Sequence, residues 1–358
     1  MSFNIIPKNC NNILIDFNKI SNIKSIYDNE NEIYKCKSYY NILKQKEDEL
    51  FYLSNLEKDK ESSLNLSFLK EKIDLLCEIK NLNDYENPIF FDMLEIFSNL
   101  SIDFSSEKGE SPYRILSLSN EIIGIEQIFK YKIGNNISIT HKKIDNDFLN
   151  NDSIPNHFVF INLIDFLNEK LPLSTIIIYI LFILQLKLKN NGMLIMKLEN
   201  FKNKLHYEFT YILTNVFEKI WLCKPITNAF HKKEKYLFCR SFNNKKIMFK
   251  HIEKINLLEN PISSKSIFGE TEFLPYYFVN KLNELEVILG QSNLEAIQEI
   301  INFYINNNVF EKLETIKRNN LQKCLQILSK HNLPITNNLY KKNNIFLGAE
   351  ASTQLSTV

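Results

Sequence analysis

Asn190–Phe201 reads NNGMLIMKLENF. The run Gly192–Met196 (GMLIM) has the length and apolar continuity of a strand buried on both faces. It closes on Lys197. An ammonium at the end of such a strand either reaches solvent or does chemistry at the edge of a sheet. Before it, Leu173–Lys189 reads as a buried helix. The greasiest part, Ile176–Leu184 (IIIYILFIL), is far short of the ~20 residues that cross a bilayer, so no membrane span is expected. After it come an amphipathic stretch, His206–Phe217, a short strand at Ile220–Cys223, and another at Lys235–Ser241 (KYLFCRS).

Upstream the alternation continues. Arg114–Leu118 (RILSL) reads as a strand and Ile122–Phe129 as the start of a helix. Ile137–Thr140 (ISIT) and His157–Leu163 (HFVFINL) read as further strands. Strands alternating with helices imply an α/β fold, a mostly parallel sheet with helices on both faces. The expected organisation is a mostly helical N-terminal region over residues 1–85, the sheet domain over 86–250, a helical C-terminal domain over 251–335, and a flexible tail over 336–358. The N-terminal helical signal lies in KDKESSLNLSFLKEKIDLLCEIKNL (58–82). In the C-terminal domain, Leu282, Leu285, Ile288 and Leu289 form a stripe that reads as internal core or as a dock for a protein partner.

Composition excludes some functions. The 358 residues carry a formal net charge of +1, so no global basic field advertises nucleic acid. Arg114, Arg240 and Arg318 are the only arginines; lysine supplies the other 40 of the 43 basic residues. Phosphate contacts would therefore be point charges with little bidentate recognition. The six cysteines form no CxxC pair and no metal spacing with the six histidines, so buried free thiols and no metal site are expected. MSFNIIPKNCNN lacks the apolar core of a signal peptide. The expected location is cytoplasmic.

Ligands of open α/β sheets bind at the carboxyl ends of the strands. Asn162 closes HFVFIN, Lys197 closes GMLIMK, and Glu234 precedes KYLFC, so three polar side chains from three strands can converge. The alternative is that strand ends are polar because they approach water.

The order of these pieces resembles the second half of the FtsJ-like 2′-O-methyltransferases, of the kind found in large cytoplasmic DNA viruses. The matching residues are Gly192, Lys197, Phe217, Lys224-Pro225 and Glu234-Lys235-Tyr236. Upstream, NPIFFDMLEIF (87–97) resembles the helix that carries the family's first catalytic lysine. The resemblance covers roughly residues 85–242. It implies a Rossmann-like methyltransferase sheet, S-adenosylmethionine as cofactor, and RNA as partner, capped mRNA included. Lys197 would be the central lysine of a Lys-Asp-Lys-Glu tetrad and take the proton of a ribose 2′-hydroxyl. For that its amine must be neutral or poised near neutrality. Glu234 would orient it. Asn162 stands where the family has aspartate, and Asp92 where it has the leading lysine. The cofactor would meet Ser117, Ser119 and Gly124, with Asp145 after the second strand. Lys224, Lys232, Lys233 and Lys235, with Phe230 among them, would grip phosphates and stack on a base or cap; a solvated turn is the alternative.

The chain departs from that pattern. Asp92 reverses a charge next to a developing alkoxide. Asn162 removes one. The glycine-rich turn is replaced by LSNEIIGIEQ, where Gly124 stands alone and Ile122 and Ile123 are expected to crowd the methionine end of the cofactor. Asp92 and Lys197 are expected to form an ion pair. The functional expectation is therefore a divergent or inactive RNA 2′-O-methyltransferase. The alternative is a non-enzymatic RNA-binding or interaction subunit that uses the fold as a scaffold. A basic groove leading to Lys197 would favour an RNA binder, and a filled, neutral one a scaffold.

Overall fold

The computed structural model describes residues 2–16, 34–56, 87–104, 112–142, 154–167, 171–228, 231–250, 261–268, 274–305, 310–331 and 333. The strands are β1 (Ser2–Ile6), β2 (Ile13–Asp16), β3 (Tyr113–Leu118), β4 (Ile137–His141), β5 (Asn156–Asn162), β6 (Leu188–Leu198), β7 (Phe217–Lys224), β8 (Lys235–Phe242) and β9 (Ile247–Lys250). The helices are α1 (Lys37–Leu56), α2 (Pro88–Asn99), α3 (Ile122–Ile133), α4 (Leu163–Leu167), α5 (Leu173–Lys187), α6 (Lys204–Val216), α7 (Tyr276–Ile305) and α8 (Phe310–Lys330). The helical signal at 58–82 and the tail at 336–358 lie outside the described residues.

Seven strands form one sheet in the order β1-β7-β8-β6-β5-β3-β4. Strands β4, β3, β5 and β6 run parallel; α3 links β3 to β4, and α4 and α5 link β5 to β6, as buried parallel strands require. β8 lies antiparallel between β6 and β7, and β1 closes the edge antiparallel to β7. The sheet is therefore half parallel rather than mostly so, because the link from β7 to β8 is too short for a helical crossover and returns the chain antiparallel. This mixed α/β sheet is consistent with a Rossmann-like methyltransferase fold. β2 and β9 pair parallel in a separate two-stranded sheet.

Side chains alternate across the strands and divide the core in two. Leu194 and Met196 of β6 join α5, α6 and α7 on one face. Ile195 joins α2, α3 and α8 on the other. The expected helix at 173–189 is α5, covered on every side, so it needs no polar face. Lys197 shares the parity of Ile195 and so belongs to the α2–α3 side.

The N-terminal segment departs from the sequence expectation: β1 is an edge of the main sheet. α1 packs on α7, where Gly290 permits the crossing. A Cβ at Gly290 would lie 2.3 Å from the Tyr39 ring. On α7, Leu282, Leu285 and Leu289 are buried and Ile288 faces outward, so most of the expected stripe is internal core.

Candidate functional site

Lys197 ends β6 opposite Asn162 of β5 on one side and Tyr236 of β8 on the other. Its Nζ lies 3.0 Å from Glu121 Oε1 and 3.2 Å from Glu234 Oε2, with only 8% of the side chain exposed. Glu121 is the residue just ahead of α3, a partner the sequence reading did not assign. Its signal was available, since in LSNEIIG it follows the end of β3, which lies one strand beyond β5 from Lys197. Burial by itself would lower the Lys197 pKa, but the charges of Glu121 and Glu234 outweigh it and hold the amine above its ordinary value. Lys197 is therefore an ammonium at neutral pH, with no lone pair to accept a proton. For Glu234, burial is offset by Lys197 and Lys232, and its carboxyl is held below the ordinary value. For Glu121, burial prevails over Lys197 and pushes the carboxyl up. Glu234 is thus the firmly ionised partner.

Asp92 does not pair with Lys197, contrary to expectation. It is almost fully buried, and its carboxylate accepts from the Thr227 hydroxyl, from Asn228 Nδ2 at 3.0 Å and from the Tyr236 hydroxyl at 2.8 Å. Burial raises its pKa, against those three hydrogen bonds and the charge of Lys197. One helical turn on, Glu95 accepts from the backbone N–H groups of Ile226 and Thr227 at 2.9 and 3.2 Å. The two acids sit on one face of α2 and bind the segment after β7. A buried carboxylate is tolerated where several donors converge on it. Asn162 is buried, and its Oδ1 accepts from Ile164 N at 3.2 Å, capping the turn into α4.

The lysines expected to grip phosphates are mostly turned inward. Lys224 is buried and donates to the carbonyl oxygens of Lys232 and Glu234 at 2.6 and 2.7 Å. Burial, helped by the charge of Lys235, lowers its pKa to about 7. The amine poised near neutrality that was expected at Lys197 therefore stands at Lys224, held by two carbonyl oxygens. Lys235 is buried against Glu286 of α7 at 2.6 Å, and Tyr40 donates to the same carboxylate at 2.8 Å. Lys233 pairs with Glu47 of α1 at 2.6 Å. Lys232 alone of the four faces solvent, 3.7 Å from Glu234. Phe230 lies outside the described residues. The expected basic surface is corrected accordingly: α1 and α7 bring acids to Lys233 and Lys235, and carbonyl oxygens hold Lys224.

The turn after β3 is tied down from within. Ser119 Oγ accepts from Glu121 N at 3.0 Å and donates to Asp165 at 3.4 Å, and Asn120 N donates to Asp165 at 2.9 Å. Gly124 does not form a cofactor turn. It lies within α3, where a Cβ would come 2.7 Å from Cγ of Asn87, so its role is close packing on the cap of α2. Ile122 and Ile123 are exposed rather than filling a pocket. Ser117 Oγ and His141 Nδ1 are buried without a hydrogen-bond partner at the ends of β3 and β4. Asp145 lies outside the described residues. Two donors of this turn, Ser119 Oγ and Asn120 N, are thus engaged by Asp165, and Glu121 brings a second carboxyl to it. Among the described residues no cluster of His, Cys, Asp or Glu could hold a metal ion, and no helix is long and apolar enough to cross a membrane.

No protein-family model matches the chain, and no curated protein matches it. Among solved structures it is similar to phosphoethanolamine N-methyltransferase 2 of Haemonchus contortus. The complex with phosphomonomethylethanolamine and S-adenosylhomocysteine is 14% identical, with TM-score 0.28, over 43% of this chain and 38% of that one. The complex with S-adenosyl-L-methionine is 13% identical, with TM-score 0.28, over 48% and 41%. The chain thus spans about two fifths of the length of those proteins.

Proposed function

We propose that this chain is a methyltransferase-fold protein that transfers no methyl group itself and serves as an interaction subunit in RNA 2′-O-methylation or capping. The observation that carries this is the clamp of Glu121 and Glu234 on Lys197, which keeps this strand-end lysine of the α2–α3 side protonated. A base must be free to take a proton, and this one is held as a cation by two carboxylates. The Asp165-bound turn and the inward lysines support the same reading, because the surroundings of Lys197 are acidic rather than a basic groove for RNA. The link to RNA modification rests on the order of strands and lysines that resembles the FtsJ-like family.

Calorimetric titration with S-adenosylmethionine, followed by methyl-transfer assays on short capped RNA, tests the reading. The expected result is no saturable binding in the micromolar range and no incorporation. Micromolar binding together with incorporation abolished by Lys197→Met would overturn it and restore the enzyme.

A further inference from the structure

A cavity of about 420 Å³ opens at the end of the sheet opposite Lys197. It lies between the start of β6, the start of β7 and the end of β8. Its volume falls within the roughly 300–1,000 Å³ of small-ligand sites. Lys197 lies seven residues after Asn190, roughly 20 Å along β6. Three lysines line this cavity, Lys8, Lys245 and Lys246, against one acid, Glu218. None of the three ammonium groups forms an ion pair among the described residues.

The amides add donors. Asn190 Oδ1 accepts from Asn244 N at 3.0 Å, and Asn243 Oδ1 accepts from Lys245 N at 3.1 Å. A backbone N–H must meet the oxygen of an amide, so these bonds fix which way both side chains point. Each oxygen is spent on the backbone, and each NH₂ group is left to donate. The lining therefore offers ammonium and amide hydrogens with few acceptors, the inverse of the acid-rich surroundings of Lys197.

We propose that this cavity binds a compact polyphosphate group, as carried by a nucleoside triphosphate or by inorganic tripolyphosphate. A single phosphate would leave much of the lysine charge unmatched, and a carboxylate ligand would bring fewer acceptor oxygens to the donors present. The site is independent of any chemistry at Lys197.

The test is isothermal titration of the full chain at low ionic strength with three probes: tripolyphosphate, ATP and a short oligoribonucleotide. The proposal expects one saturable site for tripolyphosphate. Two variants check the location. Lys245→Ala/Lys246→Ala removes charge. Asn190→Asp keeps the acceptor for Asn244 N while replacing a donor with a negative charge, so the fold is preserved. Each should weaken tripolyphosphate binding at least tenfold with an unchanged thermal melt. ATP binding tighter than tripolyphosphate assigns the ligand to nucleotides, and equal binding assigns recognition to the phosphates alone. The proposal is overturned if tripolyphosphate shows no saturable binding up to millimolar concentration. It is overturned equally if neither variant changes the affinity, or if only the oligoribonucleotide binds.

Discussion

The two ends of the sheet use the same residue type in opposite ways. At the carboxyl end of β6, lysines are consumed by the protein: Lys197 by Glu121 and Glu234, Lys235 by Glu286, Lys233 by Glu47, and Lys224 by two carbonyls. At the other end Lys8, Lys245 and Lys246 line a cavity and form no ion pair among the described residues. Three of the four lysines expected to grip phosphates, Lys224, Lys233 and Lys235, are therefore engaged within the fold. What separates the two ends is the supply of acids from distant elements. Glu47 comes from α1, Glu121 from the turn before α3 and Glu286 from α7, whereas among the described residues Glu218 is the one acid that lines the cavity.

The sharpest way to break this contrast is at Lys235. Its partner Glu286 is fully buried, so Lys235→Met leaves an unpaired buried carboxylate and should cost about 3–5 kcal/mol. The denaturant midpoint reads this loss directly. The double change Lys235→Met/Glu286→Leu should restore most of it. Lys245→Met at the opposite end should stay within about 0.5 kcal/mol. Equal losses at the two ends would erase the distinction.

A pH titration of stability sharpens it further. The folded pKa of Lys224 is about 7 against an ordinary 10.5. Between those values the unfolded chain binds a proton that the folded chain does not. Stability should therefore rise with pH from about 7 to about 10.5, by about 1.4 kcal/mol per pH unit for this one group. Lys224→Met should flatten the rise. The Lys197 shift has the other sign: its contribution is complete below the ordinary value of 10.5 and is lost as pH climbs through its raised folded value. Glu234 contributes above about 4.5, and that contribution is lost as pH falls through its lowered folded value.

Asp92→Ala leaves the hydroxyls of Thr227 and Tyr236 and the amide of Asn228 without their acceptor. A loss of about 1–3 kcal/mol is expected, read by thermal unfolding. The ammonium of Lys197 should stay in place, since its partners are elsewhere. A gain of methyl transfer in Asp92→Lys would contradict that independence. The smallest effect belongs to the exposed pair of Lys130 and Glu126 on α3. Lys130→Ala should cost no more than about 0.5 kcal/mol, and less in high salt.

The strands were legible because their signals are local. GMLIM and HFVFIN are short apolar runs, and their last residues, Lys197 and Asn162, do sit side by side. Glu234 was legible for the same reason, as the residue ahead of a strand. What was not legible depends on contacts between distant segments. Nothing near Asp92 announces that the segment 226–228 will fold onto it. Nothing near Lys235 announces Glu286, more than fifty residues on. Glu121 stood within a stretch already singled out, but its side chain was read through the missing glycines rather than through the lysine it faces. The edge strand β1 escaped because five residues carry too little periodicity to distinguish a strand from a loop.

That edge strand sets an order for folding. Ser2 sits opposite Lys224 and Ile6 opposite Ile220, a separation of more than two hundred residues. As the chain leaves the ribosome, amino end first, β1 is made long before β7, the strand it pairs with. Ile6, buried in the finished sheet, waits uncovered while β3 to β6 are synthesised. Pairings this distant in sequence slow folding and lengthen the exposure of unpaired strands. Pausing synthesis after β6 should leave the parallel half able to form while β1 stays sensitive to protease. Protection of Ser2–Ile6 should then appear only once β7 has emerged.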